Sequence, residues 1–139
     1  MLLGAAMDLS GQFTSCCYRW YAKEKHGEYS AAAAPRLADF EKALGERRWF
    51  GGDRLCAADF LLYHLLEAHL MFDAALFDAL PTLLAWIHRF EAEPTIRRYI
   101  LSDRYIHWPL NNTIARWGSC RDECPTPLRE RLEAEQATQ

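Results

Sequence analysis

The chain is expected to be all-α, a bundle of about five helices followed by a charged C-terminal tail. Three observations predict it. Apolar residues recur at spacings of three and four, and almost nothing alternates with the period of two that a strand requires. Pro81 and Pro94 stand where first-turn prolines open helices, and Gly45 stands where a helix would stop. The 139 residues are 50% hydrophobic and 25% charged, a balance that describes one globular domain. A chain of this size buries roughly two-thirds of its unfolded surface, which is enough for a core of its own.

The first helix carries Leu9, Phe13, Cys16, Cys17 and Trp20 on one stripe. In the second, Leu37, Phe40 and Leu44 face inward while Arg36, Asp39, Glu41 and Lys42 face outward. Pro35 suits either an early turn of that helix or a kink in it. Gly51 and Gly52 then turn the chain, Cys56 takes the N-cap of a third helix, and Asp59 falls three residues later, where it reaches back to the cap amide. Leu55 and Phe60 have the spacing of a hydrophobic staple. A thiol accepts hydrogen bonds poorly, so Cys56 is expected to weaken this cap by about 0.5–2 kcal/mol relative to serine or threonine. Helix three runs from Ala57 to about Met71 and is apolar on nearly every side, through Phe60, Leu61, Leu62, Leu65, Leu66 and Leu70, which predicts a central position. The helices opened by Pro81 and Pro94 present Leu83, Ile87 and Phe90, then Ile96, Tyr99 and Ile100. Residues 1–118 form the helical domain and 119–139 a polar tail. In that tail Thr126-Pro127 can start a short charged helix bearing Leu128 and Leu132, read as solvated or as a docking arm for another subunit.

Several function classes are excluded. A net charge of -3 offers no basic excess for nucleic acid. The longest apolar run, Phe60 to Phe72, is interrupted by His64, Glu67 and His69 and is shorter than the ~20 residues that span a bilayer. The N-terminal residues lack the positive region of a secretory signal, so an intracellular chain is expected, cytoplasmic by default or in an organelle matrix as part of a larger complex. Five cysteines, with Cys16 and Cys17 adjacent, fit reduced thiols better than a disulfide framework. His64 and His69 are five apart and diverge around a helix, and Cys120 and Cys124 have no second ligand pair nearby, so no metal is expected. No phosphate loop, nucleophile elbow or dinucleotide fingerprint is present.

Many short markers in one register carry a family resemblance. They include Met7-Asp8, Cys17-Tyr18, Glu28-Tyr29, Trp49-Phe50, Gly52-Asp53, Asp59-Phe60, Pro81, Arg89-Phe90-Glu91, Tyr99, Pro109 and Trp117-Gly118. From about Met7 to Gly118 the chain resembles the C-terminal half of mu-class, or sigma-like, cytosolic glutathione transferases. That family joins the thiol of glutathione to electrophilic carbon. Its thioredoxin-like N-terminal half binds glutathione and supplies the tyrosine that stabilises the thiolate, and nothing in this sequence resembles that half. The resemblance therefore implies the electrophile-binding and dimerisation domain of a transferase, inactive as this isolated chain. No cofactor is implied, glutathione being the family's substrate.

Carried over residue by residue, Tyr18 matches a tyrosine that assists the transition state beside the electrophile; the plainer reading is a core or interface tyrosine. Asp8 matches an acid that helps hold glutathione across the family dimer, or is simply a solvated helix residue. Met7, Gly11 and Ser15 match pocket-lining positions, and Asn111 and Asn112 the segment that covers the pocket. Gly11 replaces a residue commonly large and apolar, and Ser10 one commonly arginine, which implies either a wider and less charged pocket or one no longer under selection to bind electrophiles. A protein partner is expected: a glutathione-binding half, a second copy, or a larger complex. The alternative function is a non-catalytic scaffold or accessory subunit derived from a transferase. Trp20, Tyr21 and Trp108 are candidates for the surface such a partner would cover, and equally for the core.

Overall fold

The computed structural model describes residues 1–125 together with 134 and 137. Five α-helices carry the fold: α1 (Leu2–Ser15), α2 (His26–Leu44), α3 (Ala57–Phe72), α4 (Pro81–Ala92) and α5 (Pro94–Ile100). Among the described residues there is no β-strand, only an isolated bridge between Trp49 and Gly52. The tail helix expected from Thr126 lies outside the described residues.

The period of the apolar residues sets which faces meet. Leu9, Phe13, Cys16 and Cys17 are buried, and they pack with Tyr29, Leu37, Phe40 and Leu44 of α2 and Leu62 and Leu66 of α3. Leu83, Trp86, Ile87 and Phe90 of α4 close the other side. An aromatic cluster fills the middle: Phe13 lies 5.5 Å from the Tyr29 and Phe72 rings and 4.5 Å from His69. Trp20, Tyr21 and Trp108 are only half-buried, yet each leans on this cluster, at 6.0 Å from Tyr29, 5.8 Å from Phe72 and 5.8 Å from Trp117.

The structure departs from the pattern at several points. The first helix changes form after Ser15: residues Cys16–Trp20 make a π-helical turn, with the Tyr21 N–H donating to the Cys16 carbonyl at 2.9 Å. Pro35 sits in the interior of α2, not in its early turn. Glu41, expected to face solvent, instead accepts from the Thr82 and Leu83 N–H groups at 3.0 and 2.7 Å and so caps the start of α4. Phe60 and Leu61 are exposed at 51% and 60%, so α3 is central through its other faces only. The Phe60 ring packs edge-on against Phe90 at 5.2 Å. Tyr99 is exposed, its place inward being taken by Ile100, because α5 is a short helix that buries only one side.

The junction before α3 forms as its residues predict. The Trp49 and Gly52 backbones bond reciprocally at 3.0 and 2.9 Å, closing the turn. Cys56 is the N-cap of α3, and a capping box links it to Asp59. Asp59 is fully buried. Its Oδ2 accepts the Cys56 N–H at 3.0 Å and its Oδ1 accepts the Phe50 N–H at 2.7 Å, so one carboxylate ties the turn to the helix.

Candidate functional site

A groove of about 1050 Å³ runs between α1 and α3. Residues three and four apart share a helix face, so α1 gives it a stripe comprising Leu3, Met7, Gly11 and Thr14 with Ala6 and Ser10 beside them. The π-helical turn adds Tyr18 and Arg19 at one end, with Ser15 just before them. Across the groove, α3 contributes Leu61, His64, Leu65 and Ala68. Leu110 and Asn111, from the segment after α5, close the end near Tyr18.

Five of the six pocket residues expected from the sequence thus line one groove: Met7, Gly11, Ser15, Tyr18 and Asn111. Asn112 touches it through Tyr18, its N–H donating to the phenolic oxygen at 3.1 Å. That bond leaves the Tyr18 O–H as a donor. Asp8 is exposed on α1 and does not line the groove. Met7 is 75% exposed and stands at the rim. A Cβ built on Gly11 meets nothing within 4 Å, so the floor there is open space.

The π-helical turn positions the closing segment. The Cys17 carbonyl accepts the Arg116 N–H at 2.7 Å and the Trp117 N–H at 3.3 Å. The segment folds on itself through Asn111, whose N–H donates to the Gly118 carbonyl at 2.9 Å and whose Nδ2 donates to the Trp117 carbonyl at 3.0 Å. Gly118 has φ +77° and a Cβ there would fall 2.8 Å from Asn111 Nδ2, so only glycine fits without a shift. Beyond Gly118 the chain packs back: Ser119 is buried, and the Asp122 carbonyl accepts the Trp108 indole N–H at 3.1 Å.

Nothing along the groove is an activated nucleophile. Among the described residues its lining includes no cysteine and no carboxylate, and its ionisable side chains are Tyr18, Arg19 and His64. Behind it, burial pushes the Cys16 thiol up to about 11 and the Cys17 thiol to about 12, so both stay protonated and inert near neutrality. Burial raises Tyr29 in the same way. His69 goes the other way: burial lowers it to about 4, and it stays neutral. Its Nδ1 bonds the Leu65 carbonyl at 2.8 Å and its Nε2 lies 2.8 Å from the Tyr29 hydroxyl, which fixes it as a structural residue. Among the described residues no cluster of three or more His, Cys, Asp or Glu could hold a metal ion.

Sequence reasoning missed Leu3, Thr14 and Arg19, and the whole α3 wall of Leu61, His64, Leu65 and Ala68. The α1 residues were within reach, because Leu3, Met7, Gly11 and Thr14 continue the stripe that Met7 and Gly11 begin. The α3 wall was not, since nothing local says that α1 and α3 lie side by side.

The architecture is thus a helical bundle with a groove closed at one end by the segment after α5, and comparison with known proteins gives its family. The glutathione S-transferase C-terminal domain family matches residues 7–103, and the chain belongs to that family. Curated relatives that it matches include glutathione transferases of the mu class. It is 34% identical over 119 residues to Glutathione S-transferase Mu 4 of Mus musculus and 35% identical over 119 residues to Glutathione S-transferase Mu 4 of Homo sapiens. It is likewise 34% identical over 119 residues to Glutathione S-transferase Mu 1 of Macaca fascicularis. Each match takes in 86% of this chain and 55% of the relative, so the chain spans about half the length of the curated relatives it matches. Among the described residues no helix is long and apolar enough to cross a membrane.

Proposed function

We propose that this chain is the electrophile-binding and dimerisation domain of a mu-like glutathione transferase, and that on its own it does not conjugate glutathione. The observation that carries the reading is the groove: an apolar channel of about 1050 Å³ bounded by α1 and α3, with the Tyr18 hydroxyl at one end as a hydrogen-bond donor. Such a channel takes an apolar molecule by burial, and a phenol at its end can stabilise negative charge that develops on that molecule. Holding glutathione and ionising its thiol call for groups beyond this lining, which among the described residues carries no carboxylate to pair with the amino group of glutathione. That work requires a second element, a glutathione-binding half that these residues do not supply.

The test pairs binding with turnover on the purified chain. An apolar nitroaromatic electrophile is expected to bind, with Gly11→Trp abolishing binding by filling the open floor, and glutathione is expected to add to it no faster than in buffer. Turnover by the chain that is lost in Tyr18→Phe would overturn the inactivity. Binding that ignores Gly11→Trp would overturn the assignment of the groove.

A second reading rests on the rim. Leu3, Met7 and Leu61 are exposed at 47%, 75% and 60% around one groove, an apolar surface of the kind that protein partners cover. In that reading the domain is an accessory or scaffold subunit of a larger assembly, and the groove is a docking face. Native mass of the particle that carries the chain separates the two: a particle of dimer size favours the transferase, a far larger one the scaffold.

A further inference from the structure

We propose that His107 and Glu67 form a proton-operated clasp on the segment that closes the groove, holding it against α3 when the imidazole is protonated and loosening it when the proton leaves. The placement of one carboxylate points there. Glu67 lies on α3 between Leu65 and Ala68, which wall the groove, but it does not line the groove itself and is buried. Each of its oxygens meets a residue of the chain that leads into the closing segment. Oε2 accepts the Tyr105 hydroxyl at 2.9 Å, and Oε1 stands 3.2 Å from His107 Nδ1. Three residues beyond His107, Leu110 and then Asn111 close the groove, and the Asn112 N–H reaches the Tyr18 oxygen at 3.1 Å. The helix that walls the groove thus also anchors the near end of its closing segment, through a single side chain.

The surroundings of His107 favour a positive ring. From α3 come Glu67 and Tyr63, and from α4 comes Glu91, which accepts the Tyr63 hydroxyl at 3.0 Å. The Tyr105 ring stacks on His107 at 6.4 Å and meets Tyr99 of α5 at 5.5 Å. The charged groups of α5 and the turn after it are Arg97, Arg98, Asp103 and Arg104, the last with its guanidinium 5.9 Å from the Tyr99 ring. Glu67 and Glu91 are 4% and 1% exposed, and buried carboxylates are costly unless paired. Glu67 Oε1 accepts no hydrogen bond among the described residues, so a proton on His107 Nδ1 supplies it with a charge-assisted donor. The tyrosines do not switch. Burial first, and then Glu67 and Glu91, push Tyr63 and Tyr105 above the ordinary tyrosine range, so both keep their hydroxyl protons. Histidine is the side chain whose charge ordinarily changes between about pH 5 and 8, and the His107 side chain, 16% exposed, can pass its proton to water. Once it does, the charge-assisted bond is gone and Tyr105 carries the contact to Glu67. The clasp acts on the segment whatever occupies the groove.

The experiment is amide exchange and histidine NMR on the full chain, with each exchange rate divided by that of an unstructured peptide at the same pH. Protection of the Asn111 and Asn112 amides is expected to fall about tenfold between about pH 6 and pH 8, while the core amides of α2 and α4 lose none. The midpoint of that fall is expected to coincide with the titration of the His107 ring. His107→Gln is expected to show the low protection at both pH values, and Glu67→Gln to move the ring's titration to lower pH. Native protection that ignores pH overturns the clasp, and so does a His107→Gln variant that keeps the native pH dependence. An unmoved ring titration in Glu67→Gln overturns the pairing. If neither variant folds, the native protein decides: a protection midpoint more than about one pH unit from that of the His107 ring assigns the change to another group and overturns the proposal.

Discussion

Replacing Asp59 by alanine removes both acceptors that tie the turn at residues 49–56 to the first turn of α3. In the native protein Oδ1 takes the Phe50 N–H at 2.7 Å and Oδ2 the Cys56 N–H at 3.0 Å, both from a fully buried side chain. A buried N–H left without a partner costs about 1–3 kcal/mol. Phe50 is buried and Cys56 half-buried, so the first amide is expected near the top of that range and the second near its bottom. The sum is about 3–5 kcal/mol. Asparagine keeps one acceptor oxygen but loses the charge and presents an NH₂ group to the other amide, so it should cost about 1.5–3 kcal/mol. Urea denaturation measures both. At an m-value of about 2 kcal/mol/M for a domain of this size, the alanine midpoint should fall by roughly 2 M and the asparagine midpoint by roughly 1 M. A loss below about 1 kcal/mol for alanine, or an asparagine variant as stable as the native chain, would show that water or a shifted turn satisfies those amides and would refute the argument.

Other perturbations give equally definite outcomes. Gly51→Ala should destabilise by about 1–3 kcal/mol in the same assay, because its Cβ would fall 2.8 Å from the Arg54 carbonyl and 2.8 Å from Cys56 Sγ. Glu41→Ala uncaps α4 by removing the acceptors of Thr82 and Leu83, and should cost about 1–2 kcal/mol, with the loss of protection by hydrogen exchange concentrated in the first turn of α4. His69 makes stability pH-dependent with a definite sign. Its folded-state value near 4 lies below its ordinary 6.5, so its contribution is fully present above pH 6.5 and disappears as pH falls toward 4. The loss over that window is about 3 kcal/mol, and His69→Gln should flatten it in denaturation curves taken from pH 7 to pH 4. Tyr18→Phe removes the acceptor for the Asn112 N–H and should speed exchange of the amides around Asn112 while leaving global stability within about 1 kcal/mol.

How much was legible in the chain varies by element. The prolines at 81 and 94, the glycine at 45 and the cap at Cys56 with Asp59 are local devices whose effect is settled within one turn, and each appears where the sequence places it. The inward residues of α2 and α4 follow from period alone, because each helix buries one stripe. Phe60, Leu61 and Tyr99 break the pattern for a common reason: apolar character says that a side chain tolerates burial, and the number of neighbouring elements decides whether burial is offered. Glu41 reads as a solvent-facing charge until α4 brings its unpaired N–H groups to it.

The sequence by itself determined the five helices, the ends marked by Gly45, Cys56, Pro81 and Pro94, the buried stripes of α2 and α4 and, through many weak markers in one register, the family. Those properties rest on contacts between residues a few positions apart, whose geometry the backbone dictates. Only the tertiary structure decided the groove. Its α1 wall and its α3 wall are separated by some fifty residues of chain, and the closing segment reaches Tyr18 through an Asn112 bond formed across most of the sequence. The π-helical turn at Cys16–Trp20, which frees the Cys17 carbonyl to receive that segment, likewise answers to partners far along the chain rather than to its own residues. Distant contacts are made by packing, and packing is not periodic.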